Sequence, residues 1–217
     1  MIWLSLKTYK EATAENAVKL LLSAKKVMSE TGVPIIACAQ ATDIYRISQE
    51  VGIEVWAQHV EPIDPGKHSG WISPYAVKQA GATGVIINHS EHPLTDEVVM
   101  STNAKAKEYG LKTFIVCDSA ERVAKFSQLD ADYISYENPQ LIAGQISVID
   151  QEAEQIREMV VDITQPFIVG AGVTTGEQIK KARALGAKGI FIATAVVTAP
   201  DPEVKLRELA GGFMNAI

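Results

Sequence analysis

The sequence has little cysteine, no surplus of positive charge, no long apolar leader and no dinucleotide-type glycine cluster after its first apolar run. Its two cysteines, Cys38 and Cys117, are too few for a disulfide scaffold. Each ends a predicted buried strand, where a free thiol acts as a small hydrophobe. With 20 basic against 26 acidic residues the formal charge is −6, the wrong sign for a protein held by nucleic-acid phosphates or an anionic membrane surface. The apolar start, Met1 to Lys7, is too short for a signal peptide and runs into an amphipathic helix rather than a stop-transfer stretch, so a cytoplasmic protein working on small molecules is expected. Where an open doubly wound sheet usually carries a Gly-x-Gly-x-x-Gly turn, this chain reads Lys7-Thr8-Tyr9-Lys10, which argues against a dinucleotide site.

What is present is alternation. The 217 residues are 47% hydrophobic, enough for one sizeable core, and no shift in composition divides them, so one domain over 1–217 is expected. Short apolar runs bounded by turn residues predict strands at Ile2 to Leu6, Pro34 to Cys38, Ile53 to Gln58, Gly84 to Asn88, Thr113 to Cys117, Tyr133 to Tyr136, Phe167 to Gly170 and Gly189 to Ala193. Between them helical patterns predict helices at Ala14 to Glu30, Thr42 to Glu50, Pro74 to Gln79, Thr95 to Tyr109, Ala120 to Gln128, Gln151 to Asp162, Glu177 to Leu185 and Glu203 to Asn215, several ending in Gly. Ala-Gly-Ala-Thr-Gly at 80–84 and Leu-Gly-Ala-Lys-Gly at 185–189 read as one helix-to-strand junction used twice. Strands that are apolar throughout, alternating with helices, predict an α/β fold with a parallel sheet covered by helices. The number of units in this length favours a closed (β/α)8 barrel over the open sheet.

In such a barrel the working groups sit at the C-terminal ends of the strands. Lys7 leaves the first, His89 lies in Asn88-His89-Ser90-Glu91 after the fourth, and Glu137 lies in Tyr136-Glu137-Asn138-Pro139 after the sixth. Singly these read as a solvated lysine, a helix cap and a surface carboxylate. Together they can move a proton beside a carbonyl: Glu137 as base, and His89, made neutral by a helix N-terminus, as donor to the oxygen. Gly170-Ala171-Gly172 and Ala193-Thr194-Ala195, after strands seven and eight, are small enough for backbone N–H groups to approach a phosphate.

These strings, with Ala-Gln-His-Val-Glu-Pro at 57–62, Gly-Lys-His-Ser-Gly at 66–70 and Tyr-Glu-x-Pro-x-Leu-Ile at 136–142, give the whole chain a resemblance to the triosephosphate isomerase family in its shorter archaeal form. The resemblance implies interconversion of dihydroxyacetone phosphate and glyceraldehyde 3-phosphate with no metal and no organic cofactor. It implies catalysis by Glu137, His89 and Lys7, and substrate binding by Ser5, Lys7, Gly144, Gly170, Ala171, Gly172, Ala193, Thr194 and Ala195. Glu91 and Cys117 would support the site from behind, and residues 138–147 would form a lid. The loop carrying His68, Ser69 and Gly70 would enter a neighbouring subunit of a homodimer or homotetramer.

The chain departs from the family pattern at three places. Ser5 stands where an asparagine is usual, so an amide donor becomes a shorter hydroxyl. The lid reads Leu141-Ile142-Ala143-Gly144-Gln145 in place of Leu-Ile-Gly-Thr-Gly, and Ala193-Thr194-Ala195 replaces Ala-Ser-Gly. All three touch substrate orientation or phosphate capture and spare the acid–base pair. Two rivals to the isomerase remain from the residues: a barrel enzyme with related aldose–ketose chemistry, and a barrel kept as a phosphometabolite-binding or assembly module.

Overall fold

The computed structural model describes residues 1–141 and 147–214. Among them, eight parallel strands close into a barrel in chain order: β1 (Ile2–Ser5), β2 (Ile35–Ala39), β3 (Val55–Ala57), β4 (Gly84–Ile87), β5 (Lys112–Cys117), β6 (Tyr133–Tyr136), β7 (Phe167–Val169) and β8 (Gly189–Ile192). Closure is made by β1 pairing with β2 on one side and β8 on the other, with Trp3 opposite both Ile36 and Phe191.

Each strand is buried on both faces, and the period-2 alternation sorts its side chains. Trp3, Ile36, Cys38, Trp56, Ile86, Phe114, Val116, Ile168 and Phe191 fill the interior, while Ile2, Leu4, Ile115, Ile134 and Tyr136 pack outward beneath the helices. The interior is aromatic toward one end: Trp3 meets Trp56 edge-on at 4.6 Å between ring centroids and Phe114 at 4.8 Å. Such contacts prefer edge or tilted geometry because of the ring quadrupole.

The repeated junction is borne out. Gly81 and Gly186 take φ of +105° and +104°, and the glycines three residues later open β4 and β8. A side chain on Gly84 would collide with the Trp56 ring, and one on Gly189 would come within 2.7 Å of Met1.

The helices are α1 (Glu15–Thr31), α2 (Ala41–Glu50), α3 (Pro74–Gln79), α4 (Asp96–Glu108), α5 (Ala120–Phe126), α6 (Val148–Gln151), α7 (Ala153–Val161), α8 (Gly176–Ala184), α9 (Thr194–Val197) and α10 (Pro202–Met214). Two differences from the expected elements bear on function. The helix expected from Gln151 to Asp162 breaks at Glu152, whose φ of −125° and ψ of 33° are not helical, and α6 begins ahead of it. A short helix, α9, follows β8 where only a strand exit was expected. Residue Asn215, expected to end the last helix, lies outside the described residues. The expected third strand is shorter than its sequence run, Val55–Ala57, and Gly170 falls just past β7. Cys38 and Cys117 are free and buried. Among the described residues no helix is long and apolar enough to cross a membrane.

Candidate active site

The alternation that packs the barrel also aims the site. On β6, Ile134 and Tyr136 face outward and Ser135 inward, so Glu137 follows on the interior side at the C-terminal mouth. Its backbone N–H donates to the Cys117 carbonyl at 2.9 Å, which extends the β5–β6 ladder by one step under the carboxylate. Cys117, expected to support the site, is buried and touches Glu137 through this backbone bond.

His89 needs a different device. Ile86 faces inward, so regular alternation would send His89 outward. Asn88 prevents this by adopting φ of +66°, a conformation asparagine tolerates better than most residues. Its buried side chain fastens the turn, donating from Nδ2 to the Val116 carbonyl and accepting the Leu94 N–H, both at 2.8 Å. Lys7 also sits at positive φ, +47°, and its carbonyl accepts a bond from Gln58 Nε2 at 3.1 Å. Backbone strain of this kind concentrates where side chains must be aimed.

These elements bring the three expected residues to one cavity of about 180 Å³, whose wall includes Ser5, Ala171, Gly172, Ala193, Thr194 and Ala195. His89 Nε2 lies 3.6 Å from Glu137 Oε2. Lys7 Nζ is paired with Glu91 Oε1 at 2.6 Å, with the lysine side chain largely enclosed and the glutamate half-exposed. The His89 ring stands edge-on to Phe191, 5.6 Å between centroids, and Thr194 Oγ1 shares a hydrogen bond with Tyr9 Oη at 2.9 Å. Gly170 is placed differently from the rest: it lies behind Glu137, where a side chain would overlap the carboxylate. Gly144, with Ala143 and Gln145, lies outside the described residues. His68, Ser69 and Gly70 do not line the cavity and lie on the exposed β3–α3 loop beside exposed Trp71.

The electrostatics follow from enclosure. Glu137 is 4% exposed, and burial pushes its carboxyl up to about 8; Lys7 pulls the other way, Glu91 adds to the rise, and a backbone hydrogen bond from Ala171 opposes it. Its Oε2 is buried and has no hydrogen-bond partner among the described residues. A carboxylate so desolvated is a stronger base than one in water.

His89 moves oppositely, down to about 4, chiefly through burial, with Glu91 raising it and Lys7 lowering it. The expected cause was a helix N-terminus, and that is corrected here: α4 opens only at Asp96, capped by Thr95, so the imidazole is neutral because water is excluded. Its tautomer is also set. The Glu91 backbone N–H donates to Nδ1 at 3.2 Å, so the ring proton is on Nε2, facing Glu137 and the cavity. We expect the ring 15N shifts of His89 to stay constant between about pH 8 and pH 5, with the proton on Nε2. A folded value below the ordinary one also means that this residue's contribution to stability is lost as pH falls from about 6.5 through about 4. A titration midpoint near 6.5 would show that burial does not hold the ring neutral.

Gln58, Asn88, Tyr9 and Phe191 were not singled out from the sequence. Gln58, Asn88 and Tyr9 lie inside strings that were, but they work on backbone carbonyls, a turn and a neighbouring hydroxyl, which residue type alone does not reveal. Among the described residues no group of His, Cys, Asp and Glu is placed to hold a metal ion.

A closed parallel barrel with a desolvated carboxylate, a neutral imidazole and a paired ammonium at one mouth defines a (β/α)8 barrel whose cavity carries groups suited to proton transfer. A family model described as triosephosphate isomerase matches residues 1–210. The triosephosphate isomerase of Methanobacterium bryantii is 38% identical over 96% of this chain and 95% of its own, and that of Saccharolobus solfataricus is 38% identical over 100% and 97%. A crystal structure of triosephosphate isomerase from Bartonella henselae superposes with a TM-score of 0.72 at 20% identity, covering 98% of each chain, a likeness of fold. The chain belongs to the triosephosphate isomerase family.

Proposed function

We propose that this chain interconverts dihydroxyacetone phosphate and D-glyceraldehyde 3-phosphate through an enediolate, with Glu137 as base. The observation that carries the reading is the buried Oε2 of Glu137, without a hydrogen-bond partner among the described residues and 3.6 Å from Nε2 of His89. Glu137 takes a proton from C1 of dihydroxyacetone phosphate, and the electrons of that C–H bond form the C1–C2 double bond while those of the C2 carbonyl move onto O2. The Nε2–H of His89 donates to O2, and the proton on O1 passes to His89. Glu137 returns its proton to C2, which completes the aldehyde and restores both groups.

Lys7 sits where its ammonium offsets the charge of the enediolate, an effect that grows as water is excluded. Glu91 holds that ammonium in place. Ser5 orients the substrate from the cavity floor, and Ala193 contributes to the wall. The paired left-handed residues Ala171 and Gly172, both at φ of +69°, form a backbone concavity suited to an anion. The N–H groups of Gly172, Thr194 and Ala195 grip the phosphate from there.

His68, Ser69 and Gly70 form a contact between copies in a homodimer or homotetramer, a reading supported by the exposure of that loop and of Trp71 at its end. Sedimentation velocity of the wild type giving a single monomer species would remove it.

Steady-state turnover of glyceraldehyde 3-phosphate, with 2-phosphoglycolate as inhibitor, tests the chemistry and the phosphate grip together. Turnover with competitive inhibition is the expected result. A protein that binds 2-phosphoglycolate and converts no substrate would be a binding module instead.

A further inference from the structure

We infer that Glu152, outside the cavity, is a positioning residue for the base. This rests on Glu137 being that base. Glu152 occupies the break between α6 and α7, and the non-helical backbone there turns its side chain toward the barrel. One carboxylate oxygen, Oε2, accepts from Tyr136 Oη at 2.7 Å, and the other, Oε1, accepts from Asn138 Nδ2 at 2.6 Å. Those two residues flank Glu137. A single carboxylate therefore holds the side chains on both sides of the base.

The arrangement constrains Glu137 in a way that the strand alone does not. Tyr136 and Glu137 point to opposite faces of the barrel wall, so anchoring the Tyr136 ring outside fixes the peptide plane that leads into the base. The Tyr136 carbonyl accepts from Gly170 N–H at 3.2 Å, which ties the same plane to β7. Asn138 is past the end of the ladder, and its other bonds are local: its Oδ1 accepts from the Gln140 N–H at 2.9 Å and its carbonyl from the Leu141 N–H at 3.0 Å. Among the described residues its one side-chain anchor back to the scaffold is Glu152. With both neighbours held, the carboxylate of Glu137 retains only its own side-chain torsions. The scaffold end is also firm: Glu152 N–H donates to the Val148 carbonyl at 2.8 Å, and its carbonyl accepts from Ile156 N–H at 3.0 Å.

A base misplaced by about 1 Å loses rate steeply while the ligand's phosphate is held as before. Glu152→Ala is accordingly expected to lower kcat by about 10- to 100-fold with KM changed by less than about 3-fold. Binding of inorganic phosphate is expected to stay at the wild-type level, whereas binding of an enediolate-like hydroxamate of phosphoglycolate weakens in parallel with kcat/KM. Tyr136→Phe and Asn138→Ala each remove one arm and are expected to show smaller losses of the same kind. They carry the test if Glu152→Ala does not fold.

In a Glu137→Asp background, where the base is already displaced, the further loss from Glu152→Ala is expected to shrink. A purely structural role would lower the melting temperature and leave kcat per folded molecule, and the hydroxamate-to-phosphate affinity ratio, unchanged. That result, or equal weakening of phosphate and hydroxamate, overturns the positioning role. If Glu137→Ala is inactive and Glu152→Ala and both one-arm variants are fully active, only this inference fails; an active Glu137→Ala removes the base itself.

Discussion

Glu137→Ala is expected to lower kcat by about 10³- to 10⁴-fold while the circular dichroism spectrum and melting temperature stay close to wild type. The size follows from what a positioned general base contributes, roughly 10² to 10⁴, placed toward the upper end because this carboxylate is enclosed and its Oε2 has no competing hydrogen bond among the described residues. The fold should tolerate the change. Glu137 stands at the mouth rather than in the aromatic interior, and its removal relieves the desolvation that drives its carboxyl up to about 8. Glu137→Asp should fall between the two, since a carboxylate drawn back by one methylene keeps the chemistry and loses the reach. A Glu137→Ala protein within about 10-fold of wild type, well below the range for a general base, would mean that another group takes the proton.

Lys7→Met is expected to lower kcat/KM by about 10²- to 10³-fold, the range for removing one preorganised charge-stabilising group from a catalytic site. Methionine keeps most of the stem, so the change isolates the charge. Two costs add. The enediolate and phosphate lose their nearest ammonium, and Glu91, which pairs with Nζ at 2.6 Å, is left as an uncompensated negative charge beside an anionic substrate. If charge is the cause, the variant should also bind 2-phosphoglycolate more weakly, and Lys7→Arg should recover part of the loss. An effect below about 3-fold in both kcat/KM and inhibitor binding, far short of that range, would leave Lys7 as a surface lysine that merely pairs with Glu91.

Much of this architecture was legible before any coordinates. The strands are apolar throughout because both faces are buried, which marks them as parallel-sheet strands, and the repeated glycine junction marks two equivalent helix-to-strand passages. Glu137 was legible by its place at the downstream end of the sixth apolar run, in company with Lys7 and His89 at the ends of two others. His89 was legible by residue type and position, but its orientation was not, because it depends on the left-handed turn at Asn88. The cause of its neutrality was misread, since the segment after β4 opens its helix only at Asp96 and burial does what a helix dipole was expected to do. Glu152 was invisible. A helical pattern covers its position without interruption, and only the break between α6 and α7 turns its carboxylate toward Tyr136 and Asn138. The short α9 escaped for a related reason: four residues after β8 carry no periodicity to read. Gly170 was legible as part of a small-residue turn, but not that a side chain there would overlap the Glu137 carboxylate.

The most direct test of a carboxylate that moves the carbon-bound proton is exchange with solvent. Dihydroxyacetone phosphate incubated with the protein in D2O and followed by proton NMR should lose one of its two C1 hydrogens to deuterium, with deuterium appearing at C2 of the aldehyde. In Glu137→Ala the C1 proton resonance should persist and no deuterium should appear at C2. Exchange or isomerisation that persists in that variant at the wild-type rate would contradict the account.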